Sequence, residues 1–537
     1  MKSKVIILLI FVLSFILRFW QLGINPPSLD WDEASLGYNA YSILKTAKDE
    51  YGNFLPLSIR SFNDYKPPLY SYLTIGPVAF FGLNEFSTRF ISALLGSLTV
   101  VVAYFLMKEL LPQKSKILYM LFSLFFAVSP WHLQFSRIAF EANSALFFVI
   151  FGMWLFFKGF KKEQFFLLSF VSFSLSTYAY HSERLVVPLI LIGLLFLYRK
   201  ELKQKMKWVV ISIVIFVLLF IPIIQQLRLT SARFGSVTIL NPDEKLGKSI
   251  QSIEYDKQQK DWLGTLMHNR RIVYAREVLG GYLDHFNFDF LFMTGDPPGR
   301  HHAAGMGMLY FWDIPFVLIG LYMLLRDRNK ENLFILWWFA LAPVASAFTS
   351  GTPHAVRALT YLPTYQIFIA IGSIEMIRLL KKHKRKVYGR FLLFFTFTLL
   401  IVNFSYYLHM YYLHTPREYS QWWQYGYKQM ISEVAKYEKN VDKVIVTYRY
   451  DQPYVFFLFY NQIDPDWYQK NWGGGEIMRA NRSFGKYEFH NLDWAKDSHT
   501  TGILLVGTPD EIPKDSFGIL SEIKFLDGSV AFRIAAR

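Results

Sequence analysis

The chain has 537 residues, 53% of them hydrophobic and 18% aromatic, and carries a formal net charge of +16. That composition excludes a disordered chain and a basic, water-soluble nucleic-acid binder, both of which need far more polar sequence. Cysteine is absent, which removes disulfides, thiol catalysis, iron–sulfur chemistry and Cys-ligated zinc.

Along the chain, eleven apolar stretches have the composition to cross a roughly 30 Å hydrocarbon core as helices of about 20 residues. They centre near Leu13, Val100, Phe122, Val149, Val171, Leu191, Val214, Val317, Phe339, Phe368 and Leu399. The first follows Lys2 and Lys4, has no small-x-small cleavage site and ends at Arg18, so it reads as a retained signal anchor. With the N-terminus in the cytoplasm, the inner segments are 1–4, 108–116, 158–163, 199–207, 326–331 and 378–390. They hold 23 of the 57 basic residues and five of the 41 acidic ones. This positive-inside bias predicts a multi-pass protein of the cell membrane. The remainder holds 34 basic and 36 acidic residues, so the basicity reports topology rather than an acidic partner, and no nucleic acid is expected.

Three large pieces then face outward: residues 20–89, residues 225–305, and a tail, 411–537, that follows a membrane domain spanning residues 1–410. Long loops of this kind are where function concentrates. The first contains Leu29-Asp30-Trp31-Asp32-Glu33-Ala34, three carboxylates in four residues. Asp30 and Glu33 have the spacing of a helix capping box, which leaves Asp32 without a local task. A carboxylate there suits a general base for an acceptor hydroxyl, and the Asp30-x-Asp32 spacing could alternatively hold a divalent cation. Leu36, Ala40, Ile43, Leu44 and Ala47 recur at helical spacing, predicting an amphipathic helix along the membrane surface. Farther on, the Pro67-Pro68 pair fixes the backbone, so Asp64 and Lys66 are presented from a rigid turn, or form an incidental ion pair at a re-entry turn.

Arg137, Arg184, Arg300 and Arg357 are isolated cations in outer segments otherwise poor in basic residues. Each alone could snorkel to lipid headgroups. Together with Lys66, His181, His301, His302 and His354 they read as a site for an anionic headgroup, since arginine grips phosphate oxygens in a fork. The adjacent His301-His302 is a poor chelating pair and no His-Glu-x-x-His occurs, so the metal expectation stays with Asp30 and Asp32. In the tail, an aromatic and charged helix over 417–439 precedes strands at 443–447 and 502–506 and a hairpin turning at Asp527-Gly528. This predicts a small extracytoplasmic α/β domain. Trp422-Trp423 in that helix either dock on the membrane domain or stack on sugar rings.

The run Asp32-Glu33, Gly52, Asp64-Tyr65-Lys66-Pro67-Pro68-Leu69-Tyr70, Phe81 to Phe86 and Arg89 resembles the first periplasmic loop of bacterial family 39 glycosyltransferases. These are relatives of protein O-mannosyltransferases and of the lipid A aminoarabinose transferase. The resemblance continues through Ser129-Pro130-Trp131-His132, Ser136-Arg137, Glu141, Gly295-Asp296, Arg300-His301, Gly307 to Tyr310 and Pro353 to Arg357, covering residues 1 to 410. It implies a GT-C fold and an inverting transfer from a polyprenyl-phosphate sugar to an acceptor glycan, lipid or protein. It also implies Asp32 as catalytic base with Glu33 beside it. Lys66, Arg137, Arg300, His301, His354 and Arg357 would bind the donor phosphate, with Asp64, Tyr70 and Glu141 positioning the acceptor or the loop. Lys66 stands where the mannosyltransferases have histidine, so no imidazole role carries over. Three other readings compete: a transporter or flippase of lipid-linked saccharides, a lipid-linked oligosaccharide transferase, and a non-catalytic assembly factor or receptor that uses the tail as a binding module. The near absence of acids within the spans and the folded tail weigh against transport.

Overall fold

The computed structural model describes residues 2–62, 64–226, 242–382, 386–472 and 482–536. Residues 227–241 of the long outer segment, and the side chain of Asp64, lie outside the described residues. The first elements are α1 (Lys2–Phe19), α2 (Trp31–Thr46), β1 (Ile59–Ser61), β2 (Asp64–Lys66), α3 (Leu69–Phe81) and α4 (Glu85–Leu110). There follow α5 (Lys116–Val128), α6 (Pro130–Ser136), α7 (Glu141–Gly159), α8 (Gln164–Ala179) and α9 (Glu183–Leu197). Further helices run Met206–Gln226, Ile314–Arg326, Lys330–Leu341, Leu362–Lys382 and Lys386–His409.

Every one of the eleven apolar centres falls inside a helix, but the helices are not uniformly long. Among the described residues, Glu85–Leu110, Glu141–Gly159, Arg199–Gln226 and Val387–Glu418 are long and apolar enough to cross a membrane alone. The chain is therefore an α-helical integral membrane protein. The stretch near Phe122 is broken: α5 stops at Val128 and α6 leaves at 57°. Ser129 causes the break by capping α6, its side chain accepting from the His132 N–H, and Pro130 starts the new helix. Helices Ile314–Arg326 and Leu362–Lys382 approach closely through paired glycines. A Cβ on Gly320 would lie 2.0 Å from the Phe368 carbonyl oxygen, and one on Gly372 would lie 2.0 Å from that of Phe316. By contrast, only 6% of the most apolar window in Val387–Glu418 is covered by protein, which leaves that helix a lipid-facing exterior.

The tail forms a five-stranded sheet from β3 (Lys443–Val446), β4 (Tyr487–Phe489), β5 (Ile503–Gly507), β6 (Ile519–Lys524) and β7 (Val530–Ala536). The strand order is β4-β3-β5-β7-β6, with β3 parallel to β4 and β5, and β7 antiparallel to β5 and β6. The β6–β7 hairpin turns at Asp527-Gly528, where Gly528 has φ +93°. The expected helix over 417–439 is interrupted: a short helix ends at Glu418, turns follow as far as Gly426 at φ +109°, and a new helix runs Tyr427–Tyr437.

The helix placed along the membrane surface by its sequence pattern is instead enclosed. From Glu33 to Asn39 every residue of α2 is buried. Tail residues supply much of the cover, with Leu29, Ala34, Tyr38 and Ala40 sharing one core with Tyr427, Val434, Phe457 and Phe532. An amphipathic pattern reports an apolar face; it does not report what closes over the other face.

Candidate active site

Asp30 has extended backbone and caps α2. Its Oδ1 accepts the Glu33 N–H at 2.8 Å, while Glu33 Oε2 accepts the Asp30 N–H at 3.4 Å. The capping box read from the spacing is thus present. Glu33 has further duties: its two oxygens accept from Arg89 Nε and Nη2, both at 2.8 Å, and Oε1 also accepts the Ala139 N–H at 2.8 Å. Arg89 donates in addition to the carbonyls of Leu22, Pro26 and Ser28. Both side chains are wholly buried. This corrects the catalytic expectation for Glu33, whose carboxylate ties α2, α4 and the turn before α7 together and faces no open space.

Asp30 is also fully buried, with Oδ2 3.4 Å from Arg300 Nε. Burial, together with neighbouring Asp32 and Glu33, raises its carboxyl to about 7 against the pull of Arg300. Of the pair expected to hold a cation, Asp30 uses Oδ1 to cap α2 and sets Oδ2 beside Arg300, and Asp32 Oδ1 faces Lys66.

Asp32 differs from its neighbours in being reachable. Its side chain is 32% exposed, whereas those of Asp30 and Glu33 are at 0%. Lys66 Nζ donates to Asp32 Oδ1 at 2.5 Å. The short β1–β2 ribbon, pairing Ile59 with Lys66, and the two prolines after it hold that lysine in place. Burial pulls the Lys66 ammonium down, but Asp32, Glu141 and Asp30 more than offset this and hold it above its ordinary value. Glu141, the first residue of α7, therefore belongs to the same charged group. The Arg300 guanidinium lies 4.8 Å from the Trp31 ring centroid, and its Nε is buried without a hydrogen-bond partner.

Beside this group, His301 Nδ1 bonds Asp296 Oδ2 at 2.6 Å, and its ring stands 5.2 Å from that of His354. Burial lowers both imidazoles, so they are neutral at physiological pH. Arg357 donates from Nη1 to Thr349 Oγ1 and the Ser350 carbonyl at 2.7 and 2.8 Å. Asp296, His301 and His354 are the one group among the described residues arranged to hold a metal ion.

Two further expectations need correction. Arg137 is buried between Tyr411 and Tyr412 and donates to the carbonyls of Leu17, Arg18 and Asn25 and to the Tyr411 hydroxyl. Its fork is filled by protein, which leaves nothing for a phosphate. Tyr70 is buried with its hydroxyl on the Thr88 carbonyl, joining α3 to α4 rather than meeting an acceptor. Arg89, Trp31 and Asp296 lie within the sequence motifs, but the sequence assigns them no role. The usable signal for Asp296 was its place before a Pro-Pro turn, five residues ahead of His301.

The family model of dolichyl-phosphate-mannose-protein mannosyltransferases matches residues 8–236. An uncharacterized protein of Aquifex aeolicus (strain VF5) is 30% identical over 226 residues, 41% of this chain; the matched stretch spans only 42% of that relative's length. Among solved structures, ArnT from Cupriavidus metallidurans in the apo state aligns with TM-score 0.56 and 12% identity over 99% of this chain and 98% of that one. The same protein bound to undecaprenyl phosphate aligns with TM-score 0.53 and 10% identity, covering 99% and 97%. An Archaeoglobus fulgidus oligosaccharyltransferase tethered with an acceptor peptide aligns with TM-score 0.50 and 12% identity, covering 95% and 69%. At such identities the likeness is one of fold. The N-terminal region thus matches the mannosyltransferase family model, and over its whole length the chain shares the fold of these solved proteins.

Proposed function

We propose that this protein transfers a sugar from a polyprenyl-phosphate-linked donor to an acceptor hydroxyl at the extracytoplasmic face, inverting the anomeric centre, with Asp32 as general base. The observation that carries this reading is the exposure of Asp32 alone among the three loop carboxylates, at the edge of a group containing Lys66, Glu141 and Arg300. The bound undecaprenyl phosphate of the C. metallidurans fold relative supports a lipid-phosphate donor. In this reading residues 1–410 are the membrane transferase domain, with a cytoplasmic N-terminus, and 411–537 cover its outer face.

The chemistry follows from the charges. Asp32 accepts the hydroxyl proton as the acceptor oxygen attacks the anomeric carbon, and the carbon–oxygen bond to the polyprenyl phosphate breaks on the opposite side. Arg300 and Lys66 are the cations placed to offset the charge growing on the departing phosphate, in surroundings where burial strengthens each interaction. The test is to incubate the purified full-length protein with a panel of polyprenyl-phosphate sugars and candidate acceptors and to measure released polyprenyl phosphate. Release with at least one donor is expected; a folded protein that releases none from a broad panel overturns the assignment.

A further inference from the structure

The backbone that carries Arg300 is pressed into place by the tail. A Cβ on Gly299 would lie 2.8 Å from Trp422 Cδ1 and 2.8 Å from Tyr419 Cγ, closer than real Cβ atoms approach. Gly299 has no positive φ, so glycine stands there for space rather than for backbone freedom. The same contact continues along the segment. The Tyr419 ring meets that of His302 edge-on with centroids 5.5 Å apart, and Thr415 Oγ1 accepts the Ala304 N–H at 2.9 Å. From α6, Gln134 Nε2 donates to the Arg300 carbonyl at 2.7 Å. The guanidinium is tied less firmly, its Nε unpartnered and 3.4 Å from Asp30 Oδ2, so its place depends on where this backbone carries it.

Three consecutive tail residues bear on three parts of the proposed site. Trp422 presses on Gly299, next to Arg300. Trp423 is wholly buried with its ring 5.9 Å from the Arg89 guanidinium, which pairs with Glu33. That burial excludes Trp423 from stacking on a sugar ring, the alternative its sequence leaves open. Gln424, at φ +49°, accepts the Trp31 N–H at 2.8 Å and donates to the carbonyls of Tyr450 and Asp451. A left-handed residue other than glycine is strained, and such strain persists where surrounding bonds over-determine it. Trp31 and Arg300 face each other at 4.8 Å, so both members of this cation–π pair are set from one turn.

We infer that Trp422 is a positioning residue for Arg300: through Gly299 it fixes the guanidinium beside Trp31 and Asp30, while Gln424 holds Trp31 against it. This rests on the proposed role of Arg300 toward the lipid phosphate. A cation fixed before the donor arrives loses little conformational freedom on binding it, so loosening the segment weakens affinity without removing a charge.

The test uses full-length protein in detergent and two readouts. Trp422 is only half-buried, so Trp422→Ala removes little core. Hydrogen–deuterium exchange in the peptide covering 299–305 should quicken roughly tenfold or more in Trp422→Ala and match wild type in Trp422→Phe, with exchange in β3 unchanged in both. Unaltered exchange at 299–305 in a folded Trp422→Ala protein overturns the assignment. Equal quickening in β3 overturns it as well, because that marks a general loss of stability. Titration with undecaprenyl phosphate should show binding weakened about fivefold by Trp422→Ala alone and next to no further loss when it is added to Arg300→Ala. Equal losses on both backgrounds overturn action through Arg300. Where Trp422→Ala does not fold, Gly299→Ala replaces it in both measurements, since its added Cβ pushes the segment off the same rings. Exchange is read with no donor present. Quickened exchange, beside an Arg300→Ala protein that binds undecaprenyl phosphate as wild type does, upholds the grip on the segment and fails the donor reading instead.

Discussion

Exchanging the two neighbouring carboxylates separates chemistry from architecture. In Glu33→Gln one oxygen that accepts from Arg89 becomes an amide that donates, so the Arg89 guanidinium loses its ionic partner and one of its two bonds there, keeping a single bond to the remaining oxygen and those to the Leu22, Pro26 and Ser28 carbonyls. Both groups are at 0% exposure, so water cannot repair the loss. Breaking a buried pair from one side costs about 3–5 kcal/mol. The Ala139 N–H is threatened by the same exchange, because its acceptor is the Oε1 shared with Arg89. In Asp32→Asn the lost pair is partly solvated on the Asp32 side, and Lys66 retains Glu141 and Asp30 nearby, so the stability loss should stay near ~1 kcal/mol. The expected activities run the other way. Asp32→Asn should lose roughly 10²–10⁴-fold in transfer, the usual contribution of a general base. Glu33→Gln, assayed well below its lowered unfolding temperature, should keep most of its turnover. Thermal unfolding in detergent and release of polyprenyl phosphate provide the two readings. A Glu33→Gln protein as stable as wild type but inactive, or an active Asp32→Asn protein, would refute the division of labour.

Arg300→Ala should weaken undecaprenyl phosphate binding at least tenfold in a titration, since a charge-assisted hydrogen bond is worth about 1.5–3 kcal/mol, whereas Arg137→Lys should lower stability and leave that affinity unchanged. Glu50 is buried, and that burial, against the pull of Arg482 and Lys66, raises its carboxyl to about 7. Between its ordinary value near 4.5 and about 7 the folded chain holds this proton more tightly than the unfolded chain, so stability should fall by about 3 kcal/mol as pH rises through that window. Glu50→Gln should flatten the slope in unfolding measured from about pH 5 to about pH 8. Gln424→Ala removes the side chain that accepts the Trp31 N–H and should lower turnover more than stability, as measured by transfer kinetics beside thermal unfolding.

What could be read from sequence follows the range of the interaction. Apolar runs and the Ser129-Pro130 break are local, so helix positions and the bend after Val128 were legible. The Asp30–Glu33 cap spans three residues and was legible as well. The pairing of Asp32 with Lys66 spans 34 residues, and that of Arg89 with Glu33 spans 56; neither leaves a trace in local periodicity. Arg137 misled because an isolated arginine in a short loop looks the same whether it awaits a phosphate or is enclosed by Tyr411 and Tyr412, more than 270 residues later. The enclosure of α2 was hidden for the same reason, since its cover comes from the tail.

That cover bears on how the chain can be cut and recombined. The Trp31 N–H, one residue from the proposed base, is held at 2.8 Å by Gln424, which bonds in turn to the backbone at Tyr450 and Asp451. Trp423 is buried with its ring facing Arg89. The tail is thus no interchangeable accessory but the missing wall of the first loop. A fragment ending near residue 410 would be an unfinished fold rather than a smaller enzyme, and grafting a foreign tail onto the membrane domain would demand a new surface for α2. Selection on the two halves is correspondingly joined: a substitution at Gln424 or Trp423 acts on the surroundings of the proposed base despite lying almost four hundred positions downstream.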